Sequence, residues 1–420
     1  MEAFQETLEQ QYRAVEKQDS LQGVRAKAWD HFLELGLPSR HMETYQYIKL
    51  SKLFSNEFTF SSPTVPEIEP HILPECQNSL LVFVNGHFQS DLSRTKAIPD
   101  RVVITTLEEA SKTYSALLNN HWAKSLKQET DPFAAVNAAL HRDGAFLYVP
   151  PKTVVETPIQ ILHLIDTDKS PMMMLPRLHL FVGAQSQLEM VSTVVTESGE
   201  GWCWNGMTEI AIEEDAHVHL TQVAWDEPEN SWHFDAVRAT LKRNSTLKTV
   251  AVTNGSATVR NDYHVILTGE NSEGMLNGVW NLQGKREAHS HVLMEHQAPN
   301  CRSMQLFKGV LNDTSRSSFE GKIYVHQAAQ KTDAFQLNQN LLLSEGANAD
   351  SKPNLEIFAD DVKASHGATV GQLDAEQILY MKTRGISEAT AKGLLVRGYC
   401  NEVLEMIRVP SLRNKLTRER

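Results

Sequence analysis

Cysteine is scarce in this 420-residue chain: four residues, Cys76, Cys203, Cys301 and Cys400, with no two forming a Cys-x-x-Cys pair. That spacing excludes a disulfide framework, and it excludes a zinc or iron–sulfur site built locally by this chain alone. Each thiol is expected to be a reduced, small hydrophobe. Long apolar runs are also missing. Nothing approaches the roughly 18 residues needed to cross a bilayer. Met1-Glu2-Ala3-Phe4-Gln5-Glu6 lacks the basic and apolar regions of a secretory signal and is too acidic for a transit peptide. A cytoplasmic protein with no membrane contact is expected. Basic charge is in deficit, with 40 Lys and Arg against 52 Asp and Glu and a net charge of −12, so a nucleic acid backbone would be repelled overall. Arg408, Arg413, Lys415, Arg418 and Arg420 crowd the C-terminus and read as the solvated face of a helical tail. The chain has no Gly-x-x-x-x-Gly-Lys-Ser/Thr loop, no strand-following Gly-x-Gly-x-x-Gly, no Gly-x-Ser-x-Gly elbow and no His-Glu-x-x-His. Binding or hydrolysing ATP unaided is not expected, and nothing marks an enzyme.

What is present is an ordinary soluble composition, 41% hydrophobic and 22% charged, with length enough for two or three domains. Residues 1–60 read as helical: Leu21, Val24, Ala28, Phe32 and Leu35 recur at helical spacing, with Ser20 as N-cap and Gly36 and Pro38 as the stop. Residues 61–78 read as a loop. Leu80 to Phe88 reads as a strand running into an Asn85-Gly86 hairpin turn, and residues 107–142 return to helix. From about residue 145 the helical period stops and short alternating strands take over, such as Ile159 to Leu164, Leu178 to Val182 and His217 to Leu220. Polar corners precede strands at Gly183-Ala184, Asp215-Ala216, Asn244-Ser245 and Asn271-Ser272, spaced 32, 29 and 27 residues apart. That is an imperfect repeat in the range of solenoids. Strands without intervening helices exclude a βαβ architecture. A β-sandwich and a parallel β-helix both remain, and the recurring corner-then-strand unit favours the solenoid. The last fifty residues revert to helix, one opened by Asp374 and Gln377 as a capping box and stopped at Gly385, the next capped by Ser387.

The most informative string is Leu355 to Gly371, which starts as an alternating strand and reaches Ser365-His366-Gly367, read as a turn. Its part Asp360-Asp361-Val362-Lys363-Ala364-Ser365-His366-Gly367-Ala368-Thr369-Val370-Gly371 resembles the C-terminal signature of the SufB/SufD family of iron–sulfur cluster assembly scaffolds, in its SufD-like form. Gly36-Leu37-Pro38-Ser39-Arg40 through Glu43, Tyr45 and Tyr47 is similar to the family's N-terminal pattern. Tyr380 through Thr383-Arg384-Gly385-Ile386 resembles its aromatic-x-x-Ser-Arg-Gly-Ile run, with Thr383 where serine is usual. The resemblance implies a mainly β fold. A right-handed parallel β-helix core (residues 145–371) would be flanked by an N-terminal helical domain with a short β segment (1–144) and a C-terminal helical domain (372–420). It implies a non-catalytic scaffold that pairs with a SufB-like paralogue through the final β-helix strands. Its C-terminal helices, within residues 375–407, would dock a SufC-like ATPase, and a homodimer is the alternative assembly. Partner-binding residues would include Asp360, Lys363, Tyr380, Arg384, Gly385 and Ile386. His366 would be the metal ligand this chain offers to a transient iron–sulfur cluster at the SufB-like interface, with no cofactor bound by the chain alone. An imidazole suits that task, since it ligates iron and releases it. One departure matters: many SufD chains carry cysteine two residues before this histidine, and here Ala364 stands there. SufB-type chains have a cysteine further back, where this chain has Phe358-Ala359, so the thiolates would come from the partner.

Other histidines are weaker candidates. His289 and His291 share a strand face with His296 nearby, and His217 and His219 do the same. Paired imidazoles can chelate zinc or copper, but neither pair has further ligands at a familiar spacing, and structural roles are expected. Met172-Met173-Met174 reads as strand packing. A carbohydrate-active β-helix enzyme would need clustered carboxylates along a groove and a secretory signal, and neither is found.

Overall fold

The computed structural model describes residues 2–15, 21–60, 64, 66–142, 144–167, 171–199 and 201–418. Two mostly parallel sheets face one another, and the chain alternates between them, one strand in each per turn. After the antiparallel edge Val103–Thr106, the first sheet runs through Ala145–Val149, Arg177–Val182, Cys203–Ile212, Trp232–Leu241, Thr258–Leu267, Glu287–His296, Arg316–Val325 and Asn348–Ile357. The second runs from the antiparallel pair His87–Arg94 and Leu80–Val84 through Ile159–Asp166, Gln187–Ser198, His217–Ala224, Thr246–Thr253, Glu273–Leu282, Arg302–Leu311, Thr332–Leu342 and Val362–Gly371. This is a parallel β-helix of about seven turns. The expected hairpin forms at Asn85 and Gly86, whose φ angles of 50° and 83° give the turn that matches strand twist.

The polar corners explain the repeat. Lys152, Gln185, Asp215, Asn244, Asn271, Asn300 and Lys331 all sit at φ between 57° and 59°. That left-handed conformation is tolerated best by Asn and Asp among residues with a side chain. Successive corners stack: the Asp215 and Asn244 amides donate to the carbonyls of Arg243 and Glu270, each at 2.9 Å. The Asn244 side chain donates to Asp215 Oδ1 at 2.8 Å, and that of Asn271 to Asn244 Oδ1 at 3.1 Å. Inside, alternate residues build aligned apolar columns. Leu180, Ile210, Ala239, Val265, Met294, Ile323 and Leu355 occupy successive register positions of the first sheet, and all but Leu355 are buried. Each large aliphatic side chain in such a column contributes about 1.5–3 kcal/mol.

Helices cover the outer face of each sheet. Glu2–Val15 and Gln22–Leu35 pack with Pro132–Leu140 over Cys203, Trp232 and Phe234 of the first sheet. The second helix stops at Gly36, φ 71°, whose N–H reaches Phe32 O. Leu21 occupies its cap position, and the expected cap Ser20 lies outside the described residues. Residues 107–142 hold three helices, Leu107–Thr113, Ser115–Gln128 and Pro132–Leu140; the last is capped by Asp131, which accepts the Ala134 N–H at 3.0 Å. Between residues 61 and 78 the described part includes the short 3-10 turns Glu69–His71 and Pro74–Cys76. Among the described residues no helix is long and apolar enough to cross a membrane.

Candidate functional site at the open end of the solenoid

His366 is not in a turn. It lies in the middle of the last strand, Val362–Gly371, paired in register with Gln336 of Thr332–Leu342. The Ser365-His366-Gly367 composition suggested a bend, but the neighbouring strand supplies a complete parallel ladder that holds these residues extended. The turn falls earlier, at residues 358–361. There the Phe358 N–H donates to Val325 O at 2.9 Å, the Asp361 N–H donates to Gln330 Oε1 at 2.9 Å, and Ala359 is buried. Asp360 and Lys363 are exposed on either side of this corner.

Asn348–Ile357 and Val362–Gly371 form the final turn, and each is paired along one edge only among the described residues. Two parallel edges therefore end in unpaired N–H and C=O groups, and such an edge is a template for another chain. Apolar side chains stand exposed beside them, Phe358 at 57% and Val370 at 48%. His366 is exposed at the same end.

The C-terminal helices do not seal this end. Ala375–Thr383 is capped by Asp374, whose carboxylate accepts the Glu376 N–H at 2.8 Å. Glu388–Leu404 is capped by Ser387, which accepts from Thr390 N at 3.2 Å. Beyond that cap the chain folds back along the flank: Cys400, Val403, Leu404, Ile407, Leu412 and Leu416 pack on Val191, Val223, Val250, Val279 and Leu306 of the second sheet's outer face. Lys308 meets Glu402, and Ser411 reaches Glu75. The first helix stands away from the sheets, with Leu379 62% and Tyr380 61% exposed. A groove of about 720 Å³ opens between it, Leu343 and Lys392. Tyr380 carries Arg384, the guanidinium 5.3 Å from the ring centroid. Gly385, at φ 82°, turns the chain, and Ile386 is half-buried.

The N-terminal motif reaches the same end from outside. Glu43 pairs with Lys352 of strand Asn348–Ile357, which also meets Glu320 at 3.4 Å. The salt bridge holds the Glu43 carboxyl below the usual range. Tyr45 is fully buried and donates to Asp131 Oδ2 at 2.6 Å. Arg260 lies 4.2 Å over its ring, donates to Asp131 at 2.8 Å and forms an ion pair with Asp262 at 2.7 Å. Arg238 takes Glu129 in a bidentate fork at 2.8 Å and 2.8 Å, and meets Asp262 at 2.7 Å. Burial would raise the Asp262 carboxyl, but the two guanidiniums override it and hold it well below the carboxylate range. A second buried set joins Arg177 and His179 to Glu209 at 2.5 Å and 3.0 Å. These networks bind helices to sheet, and no local sequence pattern announced them.

The weaker candidates stay apart. His289 bonds Ser318 at 2.7 Å and His291 bonds Asp262 at 2.8 Å. His296 bonds Ser303 at 2.8 Å, and burial lowers it to about 4. His219 is lowered to about 4 by burial and the nearby Arg408. Among the described residues no group of three His, Cys, Asp or Glu could hold a metal ion. All four cysteines are unbridged and buried, and burial pushes the Cys76 thiol up to about 12. Met173 and Met174 are core residues.

Two family models together match nearly the whole chain: the N-terminal region of SufBD proteins over residues 2–161, and the SufBD core domain of the SUF iron–sulfur cluster assembly system over residues 163–399. A SufBD family iron–sulfur cluster assembly protein of Synechocystis is 30% identical over 93% of this chain and 88% of its own length. The iron–sulfur cluster assembly protein SufD of Escherichia coli is 28% identical over 91% and 88%. SufB of Bacillus subtilis is 23% identical over 94% and 87%. With a β-helix ending in the open turn that carries His366, and with both family models matched in order, the chain belongs to the SufBD family and to the Suf system of iron–sulfur cluster assembly.

Proposed function

We propose that this chain is a SufD-like, non-catalytic scaffold subunit of the cytoplasmic Suf machinery, supporting de novo cluster assembly and iron acquisition. It pairs with a SufB-like paralogue through its terminal turn and docks a SufC-like ATPase on its C-terminal helices. The observation that carries the reading is the open final turn, with unpaired edges, exposed Phe358 and Val370, and exposed His366. Asp360 and Lys363 flank that contact. Leu379, Tyr380 and Arg384 offer the ATPase an exposed helix face, which Gly385 and Ile386 terminate. Functionally the chain divides into 1–144, 145–371 and 372–420. The nascent cluster is cargo: His366 supplies one imidazole ligand, and the thiolates come from the partner, because every cysteine of this chain is buried. For the same reason a homodimer would be a poor cluster holder, and the heterodimer is the working assembly.

Co-expression with SufB- and SufC-like partners, wild type against His366→Ala, tests this. The expected result is a complex that still assembles by size exclusion and loses its iron–sulfur absorption in the variant. Unchanged cluster content would remove His366 from the site, and failure of the wild type to form any complex would overturn the scaffold reading.

A further inference from the structure

His366 stands at the top of an interior column of the second sheet. Met190, Leu220, Thr249, Leu276, Gln305, Gln336 and His366 occupy successive register positions. The column is largely apolar low in the solenoid and becomes carboxamide near its end. Gln305 and Gln336 are both wholly buried, and Gln336 Nε2 donates to Gln305 Oε1 at 2.8 Å. The Gln336 amide extends across the interior to Gly321 of the facing sheet, where any side chain would collide with it. Gln336 Oε1 is buried and has no hydrogen-bond partner among the described residues. Buried polar atoms are almost always paired, so this acceptor calls for a donor, as the unpartnered Gln305 Nε2 beneath it calls for an acceptor. The residue one strand further on is His366. Adjacent strands lie about 4.8 Å apart, which sets the His366 side chain next to that of Gln336 in the column.

The geometry points to Gln336 as the positioning residue of His366: its Oε1 accepts the imidazole Nδ1–H and leaves the Nε2 lone pair facing out of the open end. Nδ1 is the ring nitrogen nearer the backbone, so a bond made through it leaves Nε2, the nitrogen that reaches furthest from the strand, for a ligand. Metal-binding imidazoles commonly donate their other N–H to an oxygen acceptor, which fixes tautomer and ring orientation. A glutamine does this without placing a second charge inside the solenoid, and Gln305 holds its amide from beneath. The purpose of this arrangement rests on the ligand role proposed above; the tautomer does not.

The test is the tautomer of His366 in the isolated full-length chain, read at about pH 8, above the usual histidine range. Long-range proton–nitrogen correlation on imidazole-labelled protein gives it, with the His366 signals identified by their loss in His366→Ala. The wild type is expected in the Nδ1–H form. Gln336→Met, of similar size without the acceptor, is expected to shift it to the Nε2–H form that free histidine prefers, while Gln336→Glu keeps Nδ1–H. A wild type already in the Nε2–H form overturns the proposal without recourse to any variant, and so does a tautomer unmoved by Gln336→Met in a protein whose other histidine signals are unchanged. Cluster loss in His366→Ala together with an unfixed tautomer would refute the positioning role and leave the ligand role standing.

Discussion

Replacing Arg260 with Met should loosen the helical layer from the first sheet, and the structure sets the size of the effect. Arg260 donates to Asp131 at 2.8 Å, forms an ion pair with Asp262 at 2.7 Å and covers the Tyr45 ring at 4.2 Å. Methionine fills much of the same volume but leaves Glu129, Asp131 and Asp262 facing Arg238 as the remaining guanidinium of that network. Asp131 keeps two donors, the Tyr45 hydroxyl and the Ala134 N–H, and Asp262 keeps Arg238 and His291. The loss is therefore that of one partner from a buried ion network, about 3–5 kcal/mol. With 420 residues and an unfolding entropy of about 2.1 cal/mol/K per residue, unfolding in one step would lower Tm by about 3–6 °C. Thermal and urea unfolding followed by tryptophan fluorescence measure it, since Trp29 and Trp232 lie in the same layer. A parallel Tyr45→Phe variant should lose about 1.5–3 kcal/mol, the range for a hydrogen bond to a charged group. A shift below about 1 °C for Arg260→Met would refute the reasoning, because the network would then contribute no net cohesion.

Two further expectations concern pH and partner binding. Burial lowers His163 to about 3 and His296 to about 4, both below the unfolded value near 6.5. At these two sites the unfolded chain takes up protons first, so the stability they contribute is full above about pH 6.5 and falls as pH drops toward those folded values. His296 alone accounts for at most about 3.5 kcal/mol at about 1.4 kcal/mol per unit, and His296→Phe should flatten the pH dependence of urea midpoints between about pH 6.5 and 4. Leu379→Asp changes an exposed side chain of helix Ala375–Thr383. It should abolish co-purification of the SufC-like ATPase while leaving the chain's Tm within about 1 °C, and an undiminished ATPase yield would contradict the proposed docking face.

The solenoid was legible because its corners need a left-handed residue every 27–33 positions, and Asp215, Asn244 and Asn271 show that requirement openly. Lys152, Gln185 and Lys331 take the same conformation with side chains that do not advertise it, so the sequence shows fewer corners than the fold contains. The helix caps Asp374 and Ser387 were readable since capping is local. What escaped notice is non-local. Ser365-His366-Gly367 is a strand because Phe335, Gln336 and Leu337 pair with it. Arg238 and Glu129 meet across 109 residues of sequence. The apolar residues of the C-terminal helices were visible, but not that their target is the flank of the second sheet rather than the solenoid's end.

The most direct test of the account is Val370→Asp in a chain co-expressed with its SufB- and SufC-like partners, read by size exclusion. Val370 is 48% exposed in the final strand, so the charge costs the isolated chain little but meets any partner strand laid against that edge. The account predicts a folded subunit, unchanged in far-UV circular dichroism, that retains the ATPase and no longer elutes with the SufB-like paralogue. A variant that still assembles the full complex at wild-type yield would show that the two subunits meet somewhere other than this open turn.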